Sequence, residues 1–311
     1  MKHFTDQPMS QIIVELHSDL QENETITFEV LNPDSASSMY AGNEIKIGEK
    51  IYIYRGYKAW VDLAQLLFCK MLTPQKISDD LVQISYKKLK IEASFHTKEV
   101  DEICEKYGAD SHFSKIHKSE EPAFIFAYQK ALHAVKIDQR KRVLNLGVNT
   151  ADEFLSIQNM LDHDTFNGID FTGVDHSKSA IALAKERFPC DNMHFFDHDI
   201  NDLDTLKFDR FDLIVSIGTL QSPSIDFKPF FMSLVQNYLT KEGAIILGFP
   251  NCRWIDGEMI YGAKAPNYSY SEMSIVLKDI YFCKKYLQQH KFRVTVTGKD
   301  YLFLTATSIK K

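Results

Sequence analysis

From Arg142 to the end of the chain, short apolar runs rich in β-branched and aromatic residues alternate with stretches whose apolar positions recur at helical spacing. The runs are VLNLGV (143–148), FTGVD (171–175), MHFFDHDI (193–200), FDLIVSIG (211–218), AIILGF (244–249), RVTVTG (293–298) and YLFLTAT (301–307). Helical segments separate the first six. Alternation of that kind predicts an α/β fold, a mostly parallel sheet with helices on both faces. Between the last two runs lie only Gly298, Lys299 and Asp300. That is too short for a crossover helix, so these two strands form an antiparallel hairpin.

The first hundred residues read as mixed structure. Segments 25–31 (TITFEVL) and 44–54 (EIKIGEKIYIY) alternate apolar and polar residues and predict strands, separated by a polar loop at 32–42. Over 57–71 the residues Trp60, Leu63, Ala64, Leu67 and Phe68 recur at helical spacing, and Pro74 is expected to end that helix. A second helix is predicted at about 98–107, stopped by Gly108. A third begins after Glu120-Glu121-Pro122 and runs through Phe124, Tyr128 and Leu132, with proline in its first turn. The chain thus divides into a smaller α+β region at 1–118 and a larger α/β domain at 119–311. No repeat or low-complexity tract interrupts either.

Composition narrows the class of molecule. A hydrophobic fraction of 44% and a charged fraction of 25% are those of a globular chain able to fill a core. The net charge of −6 offers no general basic field, which disfavours nucleic acid as a partner. Five cysteines stand singly, the pattern of reduced thiols rather than of disulfides or a metal site. The first residues show no basic head followed by an apolar stretch, and no apolar run approaches the roughly 20 residues of a membrane helix. A cytoplasmic location with no membrane partner is the expectation.

The strand ends carry the chemistry. The first ends in Asn145-Leu146-Gly147-Val148-Asn149-Thr150-Ala151-Asp152, a tight turn into a helix where Gly147 lets the backbone approach a ligand. The second ends in Asp175, an acid able to accept both hydroxyls of a ribose. The third delivers Asp199-Ile200, an acceptor for an adenine amino group followed by an apolar contact; Asp197 competes for that role. The fourth ends in Ser216-Ile217-Gly218-Thr219. Open α/β sheets bind ligands at such carboxyl-terminal strand ends.

The order LNLGVNTADEF, GVDHSKSAIALAKERF, FFDHDI, FDLIVSIGTLQS, LTKEGAIILGFPN resembles the class I, Rossmann-like methyltransferase family over about residues 140–308. The resemblance implies a seven-stranded sheet with one antiparallel strand, matching the closing hairpin, and S-adenosylmethionine as methyl donor. By the same resemblance Gly147 approaches the methionine part of the donor, flanked by Asn145 and Asn149. Asp175 binds the ribose, His176 lies against the adenine, and Asp199 with Ile200 holds the adenine edge. Ser216 and Ile217 line the path toward the acceptor. The chain departs from the family's first motif by having Asn145 in place of an acid, and Asn149 and Ala151 in place of glycines.

The sulfonium methyl is already activated, so positioning and exclusion of water are the main demands and no triad or metal is required. The acceptor expected is a small molecule. Asn251, Arg253 and Tyr261 are candidates for contacting it. The segment 256–274, with Tyr261, Tyr268 and Tyr270, is expected to roof its pocket together with part of the N-terminal region. The fourth strand is not followed by Asn/Asp-Pro-Pro-aromatic, which argues against methylation of adenine or glutamine amino groups. Cys252 invites comparison with RNA pyrimidine methyltransferases that use a cysteine nucleophile, although a plain thiol is the simpler reading. The remaining alternatives are a non-catalytic binding protein on the same fold and a nicotinamide dehydrogenase. The latter should show a full G-x-G-x-x-G, which 147–152 does not.

Overall fold

The computed structural model describes residues 1–35, 38–91, 108, 111, 113–263 and 271–309. These fall into two compact units, one drawn from Met1–Thr97 and Trp254–Ile260, the other from Lys98–Arg253 and Tyr261–Lys311.

The first unit comprises β1 (Lys2–His3), α1 (Met9–Glu22), β2 (Thr25–Leu31), β3 (Glu44–Ile47), β4 (Lys50–Ile53), α2 (Tyr57–Leu66), β5 (Cys69–Met71), β6 (Gln75–Lys76) and β7 (Leu81–Lys88). Its main sheet runs β1-β2-β7-β5, with β6 also paired to β7. The alternation of β2 places Ile26, Phe28 and Val30 inward against Val82, Ile84 and Tyr86 of β7. Ile12, Leu16 and Leu20 of α1 recur every four residues and share that core with Trp60, Leu63 and Ala64 of α2. The Tyr86 hydroxyl donates to the Trp60 carbonyl at 2.6 Å, so the polar end of a buried ring is satisfied.

Two expectations change here. The segment 44–54 is a hairpin of β3 and β4, because Gly48 turns the chain at a φ of +60°. The helix at 57–71 stops at Leu66 rather than at Pro74: Phe68 adopts a φ of +54°, and Cys69–Met71 pairs with β7. Phe68 packs against Leu89, Ile255 and Ile260, a tertiary contact that outweighs its place in the helical stripe. The helix expected at 98–107 lies outside the described residues.

The second unit contains α3 (Pro122–Ala134), β8 (Arg142–Leu146), α4 (Asp152–Gln158), α5 (His163–Asn167), β9 (Asp170–Asp175), α6 (Lys178–Arg187), β10 (Met193–Asp197), β11 (Phe211–Ile217), α7 (Phe227–Ser233) and β12 (Leu239–Pro250). After β12 the chain forms a hairpin of β13 (Cys252–Ile255) and β14 (Glu258–Tyr261), whose residues Trp254–Ile260 belong to the first unit; α8 (Ser274–Gln289), β15 (Phe292–Gly298) and β16 (Tyr301–Ser308) complete the second. The seven-stranded sheet has the order β10-β9-β8-β11-β12-β16-β15. Its strands are parallel except β16, which runs antiparallel to both neighbours. The α/β fold and the single reversed strand are those the sequence predicts. Central strands buried on both faces explain the unbroken apolar runs: Val143, Leu144, Leu146, Leu213, Ile214, Val215, Ile245 and Ile246 are all fully enclosed. This order sets the carboxyl ends of β10, β9, β8, β11 and β12 side by side.

Candidate cofactor and active site

The turn after β8 keeps the shape of a glycine loop with one glycine. Gly147 sits at a φ of +73°, Asn149 at +47° and Ala151 at +65°. Asparagine tolerates this left-handed region, and its Oδ1 accepts from the Thr150 backbone N–H at 2.9 Å. Ala151 is held there by complete burial at the start of α4. Gly147 has a second reason to lack a side chain, since a Cβ would lie 2.7 Å from the Cβ of Thr219. The close approach at Gly147 is therefore to the tip of β11.

Neighbouring tips are tied to this loop. The N–H groups of Gly147 and Val148 both donate to the Val174 carbonyl, at 2.8 and 3.2 Å. Asp175 accepts from the Asn149 N–H through Oδ2 and from the Ser177 N–H through Oδ1, each at 2.9 Å. The Ser216 hydroxyl donates to the Leu146 carbonyl at 3.1 Å. Asn145, Gly147, Asn149, Asp175 and Ser216 thus meet at one end of the sheet. His176 is half-exposed with Nδ1 3.7 Å from Asp175, and Ser177 caps α6 by accepting from the Ala180 N–H. Ile217 is buried at the end of β11 beside Gly248.

Asp199 and Ile200 are placed differently. Asp199 is exposed, and its carboxylate accepts from Asn201 at the start of a short 3-10 turn over Ile200–Leu206. Ile200 is buried in the core with Leu144, Leu146 and Val174. Asn251 is fully buried: its Nδ2 donates to the Lys299 carbonyl at 3.0 Å and its backbone joins Asp300 and Gly262. Its side chain clamps the end of β12 to the start of β16. Tyr261 is exposed with the Lys299 ammonium 5.9 Å from its ring centre. Tyr268 and Tyr270 lie outside the described residues. The expected roof at 256–274 is in part the β13–β14 hairpin, whose residues Trp254–Ile260 group with the first unit.

Burial, with Asp300 adding to it, pushes the Cys252 thiol up to about 12, so it is protonated at neutral pH. Among the described residues no cluster of three or more His, Cys, Asp or Glu could hold a metal ion. No described helix is long and apolar enough to cross a membrane.

Two residues of a cleft beside the loop escape a reading of local pattern. A narrow cleft beside the loop is lined by Val148, Asn149, Thr150, Asp152 and Glu153, and across from them by Ser114, Ile116 and Lys118. Lys118 Nζ meets Glu153 Oε1 at 3.0 Å, with the carboxylate side chain only 3% exposed and the lysine 14%. Burial alone would lower the ammonium, but the Glu153 carboxylate outweighs it and holds Lys118 above its ordinary value. Arg187 braces the loop from outside, donating to Asp152 at 2.6 Å and to the Thr150 carbonyl at 2.9 Å. Behind the loop the Asn145 amide nitrogen is buried with no hydrogen-bond partner, a donor in need of an acceptor.

Residues 137–293, half of the chain, match the profile of a methyltransferase domain family. The chain belongs to that family. The enzyme takes its methyl group from S-adenosylmethionine. Several solved methyltransferase structures are similar at low identity. A chain of the complex between the Haloferax volcanii Trm112 methyltransferase activator and a methyltransferase is 14% identical, with a TM-score of 0.46, covering 68% of this chain and 100% of that one. The Burkholderia thailandensis 1,6-didemethyltoxoflavin-N1-methyltransferase, with bound 1,6-didemethyltoxoflavin and S-adenosylhomocysteine, is 17% identical, with a TM-score of 0.41 and coverage of 64% and 84%. TehB from Haemophilus influenzae is 14% identical, with a TM-score of 0.40 and coverage of 75% and 72%. No curated protein matches the chain. The residues present suit the donor: an orphaned amide and a carboxylate stand near the ends of β8 and β9, and a cation–anion pair lines the cleft beside the loop that follows β8.

Proposed function

We propose that the enzyme methylates a small-molecule acceptor at the tips of β11 and β12, holding the donor across the tips of β8, β9 and β10. The observation that carries this reading is the joining of Gly147, Asn149, Asp175 and Ser216 at one sheet end, with Asn145 beside them near the end of β8. Asp175 takes the ribose hydroxyls on the lone pairs left free by its two backbone donors. His176 lies against the adenine, and Asp199 reaches its edge from the exposed turn, with Ile200 supporting that turn from the core. Lys118 receives the amino-acid carboxylate and Glu153 the ammonium, restoring the charge that Asn145 lacks. S-adenosylmethionine supplies a sulfonium-activated methyl group. Ser216 and Ile217 shape the path along which the acceptor's nucleophilic atom comes into line. The whole assignment falls within residues 119–311 apart from Lys118.

The net charge of −6 and the protonated Cys252 both favour a small acceptor over RNA, since a pyrimidine-type mechanism needs a thiolate. With methyl-labelled S-adenosylmethionine and fractionated cell extract, label is expected in the small-molecule fraction. Label entering RNA instead would overturn the acceptor class.

A further inference from the structure

The first unit has a cavity of about 520 Å³ that the methyl-transfer site does not use. Its walls come from Met9 and Ile13 of α1, Ile53 of β4, and Ala59, Leu63 and Leu66 of α2. That volume is in the range of small-molecule sites, and the lining is almost wholly apolar. Two charged residues interrupt it. Asp62 is half-exposed and already paired with Lys58. Arg55 is the opposite case, only 5% exposed.

The partners of Arg55 are neutral. Its guanidinium donates to the backbone carbonyls of Gln7 and Ile53 and lies 5.7 Å from the Trp60 ring centre. No carboxylate pairs with it among the described residues. Burial accordingly lowers its affinity for the proton. A buried cation without a counter-charge is costly, and proteins ordinarily pair it or leave it in water. Here it stands in the wall of an apolar cavity, with N–H donors to spare.

We propose that this cavity binds a small organic carboxylate with an apolar body, its head on Arg55 and its body along α1 and α2. A guanidinium fork matches a carboxylate in two parallel hydrogen bonds. One cation in an apolar wall balances one negative charge. A phosphate dianion would leave a second charge buried without a partner. The apolar body would also cover Ile13 and Leu66, which are otherwise exposed large side chains.

Calorimetric titration of the full chain with octanoate, octanol and octylammonium, all below micelle-forming concentrations, tests this. Octanoate is expected to bind at one site at least about tenfold more tightly than the other two, the effect of a charge-assisted hydrogen bond. Arg55→Met should reduce octanoate to the level of octanol. Ala59→Trp, which fills the cavity without touching Arg55, should abolish octanoate binding while leaving the melting temperature and S-adenosylmethionine affinity as in the parent. Equal binding of octanoate and octanol would overturn the proposal. So would full octanoate binding by a folded Ala59→Trp chain, a result that stands even if Arg55→Met fails to fold.

Discussion

Lys118→Met is expected to destabilise the enzyme by about 3–5 kcal/mol at pH 7, the range found when one member of a buried ion pair is removed. The substitution strands Glu153, whose side chain is 3% exposed and pairs with no other cation among the described residues. Glu153→Gln should cost less, because Lys118 retains 14% exposure and can turn its ammonium toward water. The double change Lys118→Met/Glu153→Leu leaves no buried charge and should be more stable than Lys118→Met alone. The sign of the pH dependence follows from the raised pKa of Lys118. In the parent chain the pair's contribution is fully present below the unfolded lysine value of about 10.4 and is lost as pH rises through the higher folded value. Urea unfolding of the four chains at pH 7, with the parent also at pH 11, measures all of this. A single mutant as stable as the parent at pH 7, or a double mutant no better than Lys118→Met, would contradict it.

Asp175→Ala is expected to weaken S-adenosylmethionine binding by about tenfold or more, since each hydrogen bond to a charged acceptor contributes roughly 1.5–3 kcal/mol. The same carboxylate holds the Asn149 and Ser177 N–H groups. Its removal should therefore also cost stability, about 1–3 kcal/mol for each donor left buried. Asp199→Ala provides the contrast. It removes an exposed cap on Asn201, so its effect on stability should be about 1 kcal/mol. Equal donor affinity for Asp175→Ala and the parent, with both folded by circular dichroism, would remove Asp175 from the donor site.

The second unit was legible because its inner strands are buried on both faces. Runs such as 143–148 and 211–218 then have to be apolar throughout, and strand–helix alternation follows from parallel pairing. The loop after β8 was only half legible. Asn149 and Ala151 break the glycine pattern, yet both adopt left-handed backbone, so the turn survives the loss of its signature. Lys118 and Glu153 could not be read, because a charge in sequence reads as solvated until its partner 35 residues away is known. Asn251 reads by type as a polar residue near the acceptor path, whereas its side chain serves the backbone of Lys299. In the first unit β7 carries clear alternation at Val82, Ile84 and Tyr86, but its pairing with β2 depends on contacts far along the chain. The consecutive Ile12, Ile13 and Val14 blur the helical stripe of α1 toward a β-like run.

The most direct test of the donor site is calorimetric titration of the full chain with S-adenosylmethionine, its demethylated product and NAD. One saturable site is expected for the first two at micromolar affinity or tighter, about 8 kcal/mol of binding free energy, and none for NAD. Saturable binding of NAD with no heat from S-adenosylmethionine would contradict it.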